Sequence, residues 1–234
     1  MTTDGTNTGS TNADGTNDGI IGSGNNTNTG SDINATITEF VRYGYDNARF
    51  SVDKHERYTQ ALNACLATIT PPAEALRVDS PIPAEGMAHI VNAVYTQLDA
   101  HRDAVALLAA ESLHPVLDSD TATAVMESSE LGLHLDRVLL RGQEAGVFRP
   151  GIAAQDVFYL LIALSFFRLN HRHLLATTTR VDALSTTNSA GIRRLVVDAV
   201  LSFLTSNIAD SEHESYLVTS SEDSDSSGLG VYWD

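Results

Sequence analysis

Lysine is almost absent from this chain: Lys54 is the only one, every other basic residue is arginine, and 14 bases face 30 acids for a formal net charge of −16. That balance excludes broad electrostatic attraction to phosphate backbones and to anionic membrane surfaces, and leaves room only for a small local basic patch. Of the acids 19 are Asp, a bias that fits a halophile and a skewed genome equally. Cys65 stands alone, so no internal disulfide forms. The N-terminus has neither the basic start nor the apolar core of a signal peptide, and a cytoplasmic protein is expected. Long apolar runs are lacking too. The longest, Val157 to Phe167, is interrupted by Ser165 and followed by Arg168, well short of the roughly 20 residues of a membrane span. No stretch alternates with period two between Gly or Asn turns, so the fold class is all-α.

What is present falls into unequal pieces. Residues 1–30 are an arm of Thr, Asn, Gly and Ser in which "DGTN" occurs twice, at Asp4 and Asp14, and which cannot bury enough apolar surface to order itself. Residues 31–49 carry a short helical pattern. Residues 39–207 are of a size that buries about 70% of their unfolded surface around one core, and 50–207 form the main globular domain within them. Residues 208–234, with seven acids and no Lys or Arg, read as a solvated tail.

The stretch Ala153 to Leu175 organises the rest. Val157, Leu160, Leu161 and Leu164 follow helical spacing, and Phe158, Ile162 and Phe166 cover the opposite side, so the helix requires burial all round. One face is expected on the chain's own helices and the other on a second copy. Earlier in the chain, Ser31 or Asp32 is expected to cap a helix over 33–43 with a stripe of Ile33, Ile37, Phe40 and Val41, and Gly44 to stop it. Asp53 with Glu56 reads as a capping box for a helix burying Tyr58, Leu62, Cys65, Leu66 and Ile69, ended by Pro71 and Pro72. A polar connection to Pro83 follows. The next helical stretch, Ala84 to Leu113, is expected to bend near His101 and to bury Ile90, Val91, Val94, Leu98, Val105, Leu108 and Leu113. Another helix is expected over 121–145, with Gly146 and Val147 as a glycine cap and its hydrophobic contact. After a polar loop over 177–190 the last helix shows Ile192, Leu195, Val196, Ala199, Val200, Phe203 and Leu204 on one face.

No catalytic constellation emerges, and no cofactor is expected. His171 and His173 point about 200° apart on a helix and cannot chelate one metal ion together. Asp99 and Asp103 share a face beside His101, which a solvated charged bend explains better than an acid/base pair. Ser165 sits inside an apolar helix without the flanking glycines of a nucleophile elbow, and Cys65 reads as a small core residue. Asp223, Asp225, Ser227, Gly228 and Asp234 have the spacing of a calcium loop, but the second flanking helix and the closing Glu are lacking. The basic cluster Arg42, Arg49, Lys54 and Arg57 is cancelled by Glu39, Asp46, Asp53 and Glu56.

Four segments, "LDAHRDAVALLAAESL" (Leu98 to Leu113), "LLRGQEAGVFRPGI" (Leu139 to Ile152), "LIALSFFRLNHRHLL" (Leu161 to Leu175) and "RRLVVDAVLSFL" (Arg193 to Leu204), together resemble the regulatory domain of TetR-family transcriptional repressors. Thr36 to Tyr45 looks like the first helix of that family and Phe50 to Leu62 like the junction after its helix-turn-helix. Only five residues separate Gly44 from Phe50, where a helix-turn-helix needs on the order of 20.

The resemblance implies a ligand-responsive, non-enzymatic regulator that dimerises through its last two helices in a four-helix bundle, with Val157, Leu160, Leu161, Leu164, Phe167, Ile192, Leu195, Val196, Ala199, Val200 and Phe203 at the interface. It also implies a core pocket for a small apolar or aromatic effector, lined by Val91, Val94, Tyr95, Leu98, Leu131, His134, Leu135, Val138, Phe158 and Ile162. Specific DNA binding by this chain alone is not expected. The other reading is an interaction protein that binds ligand, or pairs with an intact relative, after losing its DNA reader.

Overall fold

The protein is described here by a computed structural model covering residues 29–50, 52–117, 130–208 and 215–217. Among these residues every regular element is a helix: α1 (Thr29–Asn47), α2 (Lys54–Ile69), α3 (Ala73–Leu76), α4 (Pro83–Ala100), α5 (Arg102–Leu113), α6 (Glu130–Glu144), α7 (Ala154–Asn170), α8 (Arg172–Thr179) and α9 (Thr186–Thr205). The N-terminal arm, the expected start of a helix at Thr121 and the calcium-like spacing at 223–234 lie outside the described residues.

Two apolar clusters replace the single expected core. The larger joins α4, α6, α7 and α9 through residues such as Ile90, Leu139, Leu161, Val196 and Leu204, and takes in Leu76 from α3 and Val105 from α5. The smaller joins α1, α2 and α5 through Ile37, Phe40, Tyr58, Leu62, Cys65 and Leu107, and Ile69 packs against both. In the smaller cluster the Phe40, Tyr45, Phe50 and Tyr58 rings lie 4.9 to 6.2 Å apart, with Tyr58 edge-on to Phe40 and to Tyr45, as aromatic quadrupoles prefer. Burial, then a hydrogen bond to Glu111, raises the Tyr58 hydroxyl above its ordinary pKa.

The local signals met different fates. Gly44 takes the expected positive φ of 70°, but the chain resumes helical geometry as far as Asn47, so the glycine kinks α1 instead of ending it. Asp53 makes no side-chain cap and lies in the left-handed region, while Glu56 accepts from Gln60 one turn on. His101 does break the long segment, ending α4 and opening α5. Leu113, expected inside, is 75% exposed. The expected polar loop over 177–190 is shorter, because α8 runs to Thr179 and Ser185 caps α9 by accepting from the Asn188 amide.

Gly146 stops α6 in the expected way. With φ at 66° it lets its own amide bond the Gln143 carbonyl and the Val147 amide bond the Gly142 carbonyl, the two reverse bonds of a Schellman cap. The apolar contact comes from Phe148, which is buried against Gly142, and not from Val147, which is 40% exposed. At the start of α7, buried Asp156 accepts from the Ala153 amide through one oxygen and from Ser215 Oγ and the Tyr216 amide through the other. Arg149 donates to the Phe203 carbonyl and to the Tyr216 hydroxyl. The acidic tail is therefore fastened at 215–217 across the ends of α7 and α9, where the sequence had suggested solvent throughout.

Candidate functional site

Nine of the ten residues expected around a pocket meet in the larger cluster. Val91, Val94, Tyr95 and Leu98 come from α4, and Leu131, Leu135 and Val138 from α6, all buried, with Phe158 and Ile162 of α7 half-buried against them. His134 is half-buried on α6. Tyr95 departs from this apolar set by reaching outward, its hydroxyl donating to the Ser189 carbonyl at 2.9 Å.

Tyr95 also lines a cleft of about 360 Å³ between the C-terminal half of α4 and the start of α9, with Thr96, Asp99, Ala100, Arg102, Leu184, Thr186, Ser189, Ala190 and Arg193. A second cleft of about 410 Å³ lies on the other side of the His101 break, where Asn34, Ile37 and Thr38 of α1 and Thr68 of α2 face residues 99–104. Asp99, Ala100 and Arg102 line both.

Asp99 is not the solvated bend residue that its sequence neighbours suggested. It accepts from Arg102 Nη2 at 3.1 Å and from Arg168 Nη2 of α7 at 2.7 Å, tying α4 to α7. Burial pushes its carboxyl up, but the hydrogen bonds and charges of Arg168 and Arg102 outweigh that and hold it below the usual carboxylate value. The Arg168 guanidinium also lies over the Tyr95 ring, 4.3 Å from its centre. Arg168 is 3% exposed, and its Nε and Nη1 make no hydrogen bond; Ser165 Oγ, one turn earlier and fully buried, makes none either. Sequence reasoning missed this pair of residues, although a signal existed. Val157, Leu161, Ser165 and Arg168 continue one stripe at i, i+4, i+8 and i+11, which places both polar residues on the buried side of α7.

The other candidates resolve plainly. His171 and His173 are exposed, and the His171 ring stacks on Phe167. The basic residues near α1 lie on aromatic rings, Arg42 and Arg49 at Tyr43, Lys54 at Tyr45 and Arg57 at Phe50. No group of three or more His, Cys, Asp or Glu among the described residues is placed to hold a metal ion. No described helix is long and apolar enough to cross a membrane.

The expected interface list needs correction at four positions. Val157, Leu161, Val196 and Val200 are completely buried inside the chain's own core, where no second copy can touch them. Leu160, Leu164, Ile192, Ala199 and Phe203 are half-buried, and Phe167 and Leu195 are exposed. The outward face of α7 runs through Tyr159, Ala163 and Phe167, spaced by four, with Tyr159 65% and Phe167 48% exposed; on α9 Leu195 is 58% exposed.

Residues 83–200, half of the chain, match the family model described as Tetracyclin repressor-like, C-terminal domain. The matched region runs from the start of α4 into α9 and so takes in most of the larger cluster and the cleft beside it. The HTH-type transcriptional repressor NicS of Pseudomonas putida (strain KT2440) is 24% identical over 130 residues, covering 55% of this chain. The chain spans only 61% of that relative's length. Fold, segment order and family match agree, and the chain belongs to the TetR family through its C-terminal domain.

Proposed function

We propose that the chain is a dimerising, effector-responsive transcriptional regulator of the TetR type with no helix-turn-helix between its first two helices, so that direct DNA reading by this chain is not expected. The connection between α1 and α2 leaves no room for such a motif. Residues 48–53 are all that joins them, and two helices with a turn cannot be built from six residues. Groove readout requires a positioned helix, and phosphate contacts alone only orient a protein on the duplex. With a net charge of −16, non-specific affinity at moderate salt is weak as well.

Dimerisation is supported by the outward apolar faces of α7 and α9, which a second copy would cover to complete a four-helix bundle. The effector is a small molecule with an apolar or aromatic body, received among Val91, Val94, Leu98, Leu131, His134, Leu135, Val138, Phe158 and Ile162 with Tyr95 at the edge. The alternative is an interaction protein that pairs with an intact relative and leaves the mixed dimer one reading head short of a palindromic site. Light scattering should give twice the 25.1 kDa chain mass, and Leu195→Glu on the exposed face should return the monomer without unfolding it. A wild-type monomer at micromolar concentration refutes the dimer, and sequence-specific protection of a promoter by the purified chain alone refutes the loss of DNA reading.

A further inference from the structure

The buried polar atoms of α7 and the charges of the neighbouring cleft belong to one arrangement. Arg102 and Arg193 line the cleft between α4 and α9, and Arg168 lies directly behind two of its other residues, under the Tyr95 ring and bonded to Asp99. Arg102 and Arg168 both bond Asp99, and Arg193 lines the same cleft without a bond to it. Asp103 lines the cleft on the other side of the His101 break, Asp198 pairs with Arg194 one turn along α9, and Asp182 beside the cleft accepts from the Leu184 amide, so three Arg face two Asp. A chain with a large negative net charge thus carries a local positive excess at one concave place.

Arg168 is the decisive member. A guanidinium that is almost wholly buried, with one nitrogen bonded and two left without acceptors, is a costly thing for a fold to retain, and native interiors pair the great majority of such groups. Ser165 Oγ, buried and unpaired on the same face of α7, adds a hydroxyl donor beside it. The remaining walls combine Tyr95, Ala100, Leu184 and Ala190 with the hydroxyls of Thr96, Thr186 and Ser189, and a volume of about 360 Å³ suits a small organic molecule.

We propose that this cleft binds a small organic acid, its apolar body against Tyr95, Leu184 and Ala190, its carboxylate drawn in by Arg193 and Arg102 at the mouth and then taken by the free nitrogens of Arg168 behind Tyr95. Tyr95 is the door between mouth and interior. Its hydroxyl leaves the Ser189 carbonyl when the ring turns to let the carboxylate reach Arg168. The inference goes beyond the dimeric-regulator reading, since every residue of the site comes from one chain.

Calorimetric titration of the full chain with benzoate, phenylacetate and hexanoate, each beside its uncharged amide, tests the assignment. At least one acid should bind with a dissociation constant below about 1 mM, and its amide about tenfold more weakly. Arg168→Lys keeps a positive charge beside Asp99 but removes the guanidinium donors, and should abolish the preference for acid over amide. Should that variant fail to fold, Arg193→Gln decides, because Arg193 is exposed: it should weaken the acid about fivefold and leave the amide unchanged. Absence of binding by all three acids, equal binding of acid and amide, or an acid affinity indifferent to Arg193→Gln overturns the proposal. A monomer that still prefers the acid refutes only the dimer, and a dimer indifferent to all three acids refutes only this site.

Discussion

Replacing Gly142 by alanine should destabilise the protein even though alanine is the better helix former. Gly142 is buried in α6, and a Cβ placed on it would enter the Phe148 ring, 2.6 Å from Cγ and closer still to Cδ2 and Cε2. The ring has little room to retreat. Phe148 is 2% exposed, its amide bonds the Gly142 carbonyl, and the next amide, of Arg149, bonds the Leu204 carbonyl. Overpacking of this kind costs about 3 kcal/mol at the upper end of its usual range, against about 1 kcal/mol gained by alanine over glycine in a helix interior. The net loss of about 2 kcal/mol corresponds to a fall in Tm of about 4 to 8 °C for a domain of this size. Gly191 supplies the opposite sign: it lies inside α9 with nothing within 4 Å of an added Cβ, so Gly191→Ala should raise Tm by about 1 to 4 °C. Thermal unfolding followed by circular dichroism reads both. A Gly142→Ala protein that melts at or above the wild type would refute the reasoning, as would two variants shifting in the same direction.

Three further outcomes are expected. Asp156→Ala removes the acceptor for the Ala153, Ser215 and Tyr216 groups together and should cost about 1 to 3 kcal/mol in chemical denaturation, with faster proteolysis near residue 215. Cys65, whose thiol burial and the Asp103 charge push up to about 12, should resist a thiol reagent at pH 8 until the protein unfolds; because its folded pKa is raised, its contribution is complete below the unfolded value near 8.5 and is lost as pH climbs towards 12. Asp99, whose folded pKa is lowered, contributes above the unfolded value of about 3.9 and loses that contribution as pH falls through the folded value, so Asp99→Asn should flatten the acid limb of the stability profile below about pH 4.

Local rules were readable in the sequence where one chain segment decides the outcome. The all-helical class, the Gly146 cap, the break at His101 and the apolar stripe of α9 each depend on neighbours within a turn or two. What escaped depends on partners far along the chain. Asp99 and Arg168 are separated by 69 residues, and nothing near either one announces the other. The four-residue α3 is too short for a period, yet it delivers Leu76 to the core. The interface list failed at Val157, Leu161, Val196 and Val200 because an apolar stripe does not say whether its partner is the same chain or another. Asp53 and Glu56 had the composition of a capping box, but Asp53 sits in a left-handed turn and bonds nothing from its side chain.

Asp99, Ala100 and Arg102 form a party wall one residue thick between two rooms, one shared by α4 and α9, the other by α1, α2 and α5. The wall stands where the long segment is already broken, so shifting it bends a joint and need not stretch a helix. Space taken on one side is surrendered on the other. A shift of that wall that favours an occupant of one room weakens the occupant of the other by the same factor, whichever arrives first.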